Sequence, residues 1–242
     1  MNSILVTGAS GGIGRACADL FLANGWTVGL LARRGAVLEE VAAGRSNAVV
    51  LEADVSDPAA VEAAFDRFQG AAGRLDVLFN NAGLFTPAAT IDEVTLDDWK
   101  QALDVNLTGM FLCARAAFAR MRRQTPQGGR IINNGSISAH VPRAGAVTYT
   151  VTKHAVTGLT RQLSLDGRPF DIACGQIDIG NARTDLLQGI ADAAVAAGHE
   201  PPETMDVADV ARSVLHMANL PPEANVQFMT VMASKMPYIG RG

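Results

Sequence analysis

The sequence is poor in aromatic residues, in cysteine and in charge. Aromatic residues make up 5% of its 242 residues and charged residues 18%. The three cysteines, Cys17, Cys113 and Cys174, are far apart and show no CxxC spacing. They predict buried thiols in a reducing compartment rather than a disulfide framework. The His, Cys, Asp and Glu residues show no metal-ligand spacing, so no metal site is predicted.

Several protein classes are disfavoured by what is missing. The net charge is −4 and no long basic run occurs, which argues against nucleic-acid binding. We find no apolar stretch of membrane-spanning length, and the first strand enters a glycine-rich loop without the basic flank of a signal peptide. The sequence therefore predicts a soluble, cytoplasmic protein that binds neither nucleic acid nor membrane.

What the chain has instead is a large apolar fraction, 48%, in regularly alternating patterns. Strand patterns fall at Ser3–Val6, Thr27–Leu31, Ala48–Glu52, Val77–Asn80, Arg130–Asn133, Asp171–Gln176 and Gln227–Val231. Helical patterns fall at Gly14–Asn24, Val37–Ala43, Pro58–Phe68, Leu96–Arg122, Thr148–Leu165 and Val207–Ala218. This alternation predicts an α/β fold: a doubly wound, Rossmann-type, mostly parallel seven-stranded sheet with helices on both faces.

The domain organisation is predicted to be simple. No linker rich in Pro or Ser divides the chain and no internal repeat occurs, so residues 1–242 are interpreted as a single dinucleotide-binding and catalytic domain. The most irregular stretch begins near Ile179 and is punctuated by Gly and Pro. Connections of this length are usually functional, so a substrate flap is predicted near residues 184–203.

A glycine-rich loop follows the first strand. The residues TGASGGIG, 7–14, place glycines at Gly8, Gly12 and Gly14, a spacing that differs from the G-x-G-x-x-G fingerprint. A strand, a glycine turn and a helix N-terminus together offer free N–H donors and a positive dipole to a phosphate. The alternative is a loop that needs glycine only for a sharp turn.

The end of the second strand bears on the choice of cofactor. An Asp or Glu at this point of a dinucleotide fold binds the ribose hydroxyls of NAD, whereas a basic residue accommodates the 2′-phosphate of NADP. Here the strand ends in Arg33 and Arg34 and carries no carboxylate. NADP is therefore favoured over NAD. The alternative is that the two arginines are a solvated pair at the start of a helix.

Ser136, Tyr149 and Lys153 form a candidate proton-transfer site. Tyr149 and Lys153 are four residues apart, so on a helix they share one face. A nearby ammonium is expected to lower the phenol pKa from its ordinary value of about 10. Ser136 follows an apolar strand and can donate to a substrate carbonyl oxygen. For Tyr149 and Lys153 alone, the alternative is a surface helix pair.

Five motifs together resemble the short-chain dehydrogenase/reductase family: TGASGGIG, the NNAG of residues 80–83, the VNLTG around Asn106, Ser136 and YTVTK. The resemblance implies that Tyr149 is the general acid/base and that Lys153 holds the nicotinamide ribose. It also implies that Ser136 orients the substrate oxygen and that Asn106 fixes a water linked to Lys153. The cofactor residues implied by the loops are Gly8, Ser10, Gly12, Ile13, Gly14, Arg33, Arg34, Asp54, Val55, Asn81, Ala82, Gly83, Tyr149, Lys153, Ile179 and Thr184.

One departure from the family pattern follows the sixth strand. Gly180 and Thr184 are in place, but Ile179 stands where the family has proline, which predicts a looser loop and less certain placement of the nicotinamide. Asp178 is interpreted as a solvated loop residue rather than a substrate contact. His140 and Arg143 lie close after Ser136, and either could contact substrate or face solvent.

The sequence therefore predicts an NADP-dependent oxidoreductase that interconverts a small-molecule carbonyl and a secondary alcohol. An NAD-linked alcohol dehydrogenase and a non-catalytic NADP-sensing protein are the alternatives. The family resemblance also implies a homodimer or homotetramer, packed through the helices Leu96–Arg122 and Thr148–Leu165 and the C-terminal strand.

Overall fold

The computed structural model describes residues 2–196, 198 and 200–239. Its sheet has seven strands: β1 Ser3–Thr7, β2 Thr27–Ala32, β3 Ala48–Glu52, β4 Val77–Asn80, β5 Gly129–Asn134, β6 Ile172–Ile179 and β7 Phe228–Val231. The strand order is β3-β2-β1-β4-β5-β6-β7, and every pairing is parallel. The prediction of a mostly parallel seven-stranded sheet is confirmed.

Helices cover both faces of the sheet. They are α1 Gly12–Ala23, α2 Gly35–Ala42, α3 Pro58–Ala72, α4 Leu96–Leu103, α5 Met110–Arg123, α6 Val147–Gly167, α7 Asp185–Ala196 and α8 Val207–Ala218. Along β1, Ile4 and Val6 pack into the core shared with α1, α2 and α8, whereas Leu5 packs into the core shared with α3 and α5. Alternate residues of a strand point to opposite faces, so a strand covered on both faces is apolar throughout.

The sheet reverses its winding between β1 and β4. The chain moves outward from β1 to β3, returns to β4 beside β1, and then continues outward to β7. In open α/β sheets, ligands bind at the carboxyl ends of the strands beside such a reversal. The glycine loop follows β1 and the NNAG motif follows β4, so both predicted motifs lie at this edge.

The predicted continuous helix Leu96–Arg122 is interrupted. A six-residue π-helical segment, Asp104–Gly109, separates α4 from α5. Wide turns of this kind occur frequently at functional sites, and the VNLTG motif falls within it. By length and composition the whole segment Leu96–Arg123 would be sufficient to span a membrane, contrary to the sequence-based expectation. Half of its apolar window is buried inside the protein, as in a core helix.

The sixth strand is longer at its C-terminal end than the predicted Asp171–Gln176. It runs to Ile179, which lies opposite Val231 of β7. The expected loosening at Ile179 is therefore wrong. A proline there would lack the N–H of a strand residue, whereas a β-branched residue with its N–H intact continues the strand.

The segment predicted as a flap contains α7. Its base is fixed by two backbone hydrogen bonds, from Arg183 N to Met205 O and from Met205 N to Asn181 O. Residues 197 and 199 of this segment, like Met1 and residues 240–242, lie outside the described residues. The apolar C-terminal tail packs in part on the protein's own core, through Ala233 and Met236.

Candidate active site

The glycine loop approaches its neighbours too closely for side chains. Gly12 has a φ of +51°, a left-handed conformation that favours glycine. A Cβ on Gly14 would lie 2.2 Å from the carbonyl oxygen of Gly8. Gly11 precedes α1 without any side-chain cap, and no acidic residue lies in the first turn of that helix. The N-terminal N–H groups of α1 are therefore available to an anionic group.

Thr7 joins the glycine loop to the NNAG motif. Its Oγ1 accepts hydrogen bonds from the backbone N–H groups of Asn81 and Ala82, at 2.8 and 2.9 Å. Its carbonyl accepts a third from Asn81 Nδ2, at 2.9 Å. Sequence reasoning missed this residue, although a hydroxyl at the end of an apolar strand was the available signal.

The two arginines after β2 both line the cavity, but they make different contacts. Arg34 Nη2 donates to Ser10 Oγ at 3.1 Å and lies over the glycine loop. Arg33 acts on Asp54. Burial alone would raise the pKa of that carboxyl, but hydrogen bonds from Ser56 and the charge of Arg33 hold it below its ordinary value. Arg34 is thus attached to the glycine loop, while both arginines are exposed and Arg34 is the N-cap of α2, as the alternative of a solvated pair at a helix start expects.

The structure brings together Ser136, Tyr149 and Lys153. Tyr149 and Lys153 lie in the first two turns of α6, and Ser136 follows β5. The side chain of Ser136 lies near enough to Tyr149 to lower the pKa of its phenol. Lys153 Nζ lies 5.4 Å from the centroid of the Tyr149 ring and donates to the carbonyl oxygen of Asn134 at 2.7 Å.

Burial dominates the ionisation of this cluster. It raises the pKa of Tyr149, and the charge of Asp178 raises it further, while Ser136 and Arg143 act in the opposite direction. Burial also lowers the pKa of Lys153 to about 8, against the charge of Asp178, which raises it. The expected lowering of the Tyr149 pKa by Lys153 is therefore not found for the protein's own groups, because desolvation outweighs the effects of Ser136 and Arg143.

Asn106 lies in the π-helical segment and is fully buried. Its side chain binds the backbone of Leu84 twice: Oδ1 accepts from the N–H at 2.8 Å and Nδ2 donates to the carbonyl at 2.9 Å. Asn106 therefore fixes the chain that follows the NNAG motif. The water relay from Asn106 to Lys153 stays a prediction.

Asp178 is not the solvated loop residue that the sequence predicted. It is 1% exposed, because β6 extends past it. Its Oδ1 accepts from the backbone N–H of Ser136 at 3.0 Å and from Gln176 Nε2 at 2.7 Å. Its Oδ2 lies 2.8 Å from His140 Nε2, and the His140 side chain is 41% exposed. A carboxylate near the end of an apolar strand was the sequence signal for this buried anchor.

Phe85 lies against the face of Tyr149, and Arg143 lies beside both rings. The Phe85 and Tyr149 rings stack with centroids 4.2 Å apart and planes 26° apart. The Arg143 guanidinium carbon lies 5.7 Å from the first centroid and 5.9 Å from the second. Of the two residues left open by the sequence, Arg143 thus reaches the site itself, whereas His140 reaches it through Asp178.

One cavity of about 610 Å³ connects these features. Among the predicted site residues its lining includes Gly8, Ser10, Gly12, Ile13, Arg33, Arg34, Asp54, Val55, Asn81, Ala82, Gly83, Tyr149, Lys153, Ile179 and Thr184. Gly14, Asn106 and Ser136 are not among the lining residues. Within the described residues, no group of three or more His, Cys, Asp or Glu is arranged to hold a metal ion. All three cysteines are free and buried.

Comparisons with known proteins agree with this geometry. The family model of short chain dehydrogenases matches residues 2–194. A 3beta-hydroxysteroid dehydrogenase of Mediterraneibacter gnavus is 37% identical over 191 residues, 76% of this chain and 67% of that protein. A trans-4-hydroxycyclohexanecarboxylate dehydrogenase of Sinomonas cyclohexanicum is 34% identical over 200 residues, 77% of this chain and 74% of that protein. A crystal structure of 3-ketoacyl-(acyl-carrier-protein) reductase from Brucella melitensis, complexed with NADH, has a TM-score of 0.86 at 25% identity and covers 96% of this chain and 97% of that one.

Proposed function

Because the chain belongs to the short-chain dehydrogenase family and is an oxidoreductase of alcohol and carbonyl substrates, we propose that it is NADP-dependent and uses Tyr149 as its general acid/base. The observation that carries this proposal is the convergence of Ser136, Tyr149 and Lys153 beside one cavity that begins at the glycine loop.

The protein's residues divide the chemistry among themselves. Tyr149 gives its phenolic proton to the carbonyl oxygen during reduction and takes it back during oxidation. Ser136 donates to the same oxygen as negative charge develops there. The raised pKa of Tyr149 keeps the phenol protonated at neutral pH, which suits it to act as the acid in reduction.

The cavity fits a dinucleotide. The uncapped N-terminus of α1 would hold the pyrophosphate, and Lys153 would hold the nicotinamide ribose. When bound, this cofactor supplies or accepts the hydride. Arg33 and Arg34 support NADP because they flank the rim of the loop, where a 2′-phosphate would lie. The NADH in the Brucella structure makes NAD the alternative.

The first experiment is to follow NADPH oxidation against a panel of ketones and aldehydes. We expect turnover on some of them, and we expect Tyr149→Phe to lose about 100-fold or more in kcat because it lacks the proton. NADPH binding should persist in this variant. Binding without turnover on any compound, together with no effect of Tyr149→Phe, would favour the alternative of an NADP-sensing protein.

The choice of cofactor is tested by Arg33→Ala and Arg34→Ala. Each change should weaken NADPH binding by about 10-fold or more, since each removes a charge-assisted contact, and should leave NADH binding nearly unchanged. Arg15→Ala is the matched control, because Arg15 is an exposed arginine of α1 that pairs with Asp19 and does not line the cavity. Equal losses for the two nucleotides would contradict the assignment of NADP.

We further propose a cytoplasmic homodimer or homotetramer that packs through α4, α5, α6 and the C-terminal strand. Phe111, Val151 and Leu165 support this assembly because these large apolar side chains are exposed on the last two of those helices. A monomeric mass in analytical ultracentrifugation would reject it.

Residues 1–242 are proposed to act as one domain, with the segment near 184–203 as its substrate flap.

A further inference from the structure

The part of the cavity around Tyr149 has Phe85 and Arg143 in its wall. The cavity lining further includes the apolar side chains of Leu84, Val105 and Leu187 and the polar side chains of Asn134, Asn181 and Thr184. An apolar wall with few polar groups is typical of a small-molecule site, in which each polar group selects a feature of the ligand. Arg143 is therefore the group to explain.

Arg143 is held in place without an anionic partner. Its guanidinium carbon lies beside the stacked rings of Phe85 and Tyr149, almost equally far from their centroids, at 5.7 and 5.9 Å. The Arg143 side chain is exposed, and a guanidinium presents its N–H groups in a planar fork that matches an oxyanion. Within the described residues, no carboxylate forms an ion pair with Arg143 and no acceptor binds its side chain.

The cavity as a whole carries a positive charge, as Arg143 does. The protein carries a net charge of −4, yet the cavity lining holds four cations and one carboxylate: Arg33, Arg34, Arg143, Lys153 and Asp54. Under the proposed function, the first two arginines serve the 2′-phosphate and Lys153 serves the ribose. The charge of Arg33 also acts on Asp54, and among the four cations only Arg143 has no assigned ligand.

We infer that Arg143 binds an acidic group of the substrate, so that the natural substrate is a carbonyl compound, or its alcohol, that carries a carboxylate or a related oxyanion. This inference rests on the proposed function and narrows its substrate class. A guanidinium pairs with a carboxylate through two parallel hydrogen bonds, which would fix the orientation of the substrate as well as its charge. Arg143 would thus be the specificity-determining residue of the pocket.

The test uses pairs of carbonyl compounds that differ only in charge. Suitable pairs are 4-formylbenzoate with 4-formylbenzamide, acetoacetate with acetoacetamide, and succinic semialdehyde with its amide. We expect the carboxylate member to have about 10- to 100-fold higher kcat/KM, the range of a charge-assisted hydrogen bond, mainly through a lower KM. NADPH oxidation is the readout for every pair.

Three variants separate the role of Arg143 from general effects. Arg143→Met should lower the turnover of both members, because Arg143 also acts on Tyr149, but the ratio between carboxylate and amide should fall to about one, as expected when an ionic contact is lost. Arg143→Lys keeps the positive charge but loses the two parallel N–H donors of the guanidinium, so it should retain part of the preference for the carboxylate over the amide. Arg161→Met is the matched control: Arg161 lies 5.6 Å over the Phe228 ring, outside the cavity, and its ratio should equal that of the wild type.

The possible outcomes separately test the substrate class, the assignment to Arg143 and the proposed function. Turnover of amides as efficient as that of carboxylates would overturn the inference and leave the proposed function intact. A carboxylate preference that survives in Arg143→Met would overturn the assignment to this residue. Absence of turnover on all the pairs and on the wider ketone and aldehyde panel would instead contradict the proposed function.

Discussion

Neutralising Asp178 should change both the stability of the protein and the pH dependence of its activity. In Asp178→Asn the amide oxygen can still accept from Ser136 N and Gln176 Nε2, but the new NH₂ group must face His140 Nε2. The charge-assisted part of these bonds is lost, which should cost about 1–2 kcal/mol of unfolding free energy. Asp178→Ala leaves two buried donors without an acceptor and should cost more, about 2–5 kcal/mol.

The effect on activity follows from the direction of the pKa shifts. The carboxylate of Asp178 raises the pKa of Lys153, which is about 8, and that of Tyr149. In the proposed reduction both groups act in their protonated forms, so the rate should fall as the pH rises past about 8. Without the negative charge both pKa values drop, and the alkaline limb of log(kcat/KM) should therefore begin at lower pH in Asp178→Asn.

Urea denaturation and a pH profile of NADPH-dependent reduction measure the two effects. Asp166→Asn is the control, since Asp166 is an exposed carboxylate of α6 that binds only Gln162 on the same helix. We expect it to change neither measurement. An alkaline limb in Asp178→Asn that stays in place or moves to higher pH would refute the electrostatic reasoning. An Asp178→Ala protein as stable as the wild type would refute the role of Asp178 as a buried acceptor.

Two further predictions concern the glycine loop and the aromatic stack. Gly14→Ala should abolish NADPH binding and destabilise the protein, because its Cβ would lie 2.2 Å from Gly8 O, whereas Gly70→Ala in α3 meets nothing within 4 Å and should gain about 0.5–1 kcal/mol. Fluorescence titration and urea denaturation check both changes. Phe85→Ala should lower the pKa of Tyr149 by exposing its ring. Since the chain has two tyrosines, an ultraviolet titration against Tyr149→Phe can measure this shift, and an unchanged pKa would contradict it.

Local features of the sequence were sufficient for the sheet and for most of the candidate site. The glycine spacing, the four-residue step from Tyr149 to Lys153 and the period of the strands each depend on neighbours along the chain. The position of Asp178 does not, because β6 extends past it only by pairing with β7, some fifty residues later in the chain.

The ionisation of Tyr149 and the contacts of Arg143 could not be predicted for a related reason. Burial is a property of the folded protein, and a spacing rule for Lys153 contains no measure of it. The stack of Phe85 on Tyr149, with Arg143 beside it, joins three separate connections. Sequence reasoning could name Arg143 as a candidate but could not choose between substrate and solvent.

The hydroxyl of Thr7 begins a chain of hydrogen bonds that links the glycine loop to Lys153. It holds Asn81, whose side-chain oxygen accepts from Asn134 Nδ2, and the carbonyl of Asn134 in turn accepts from Lys153 Nζ. A continuous hydrogen-bonded path therefore joins the end of β1, beside the glycine loop, to the ammonium group of Lys153 on α6. A substitution at Thr7 should therefore lower kcat as well as weaken coenzyme binding, because the same hydrogen bonds position both Asn81 and Lys153.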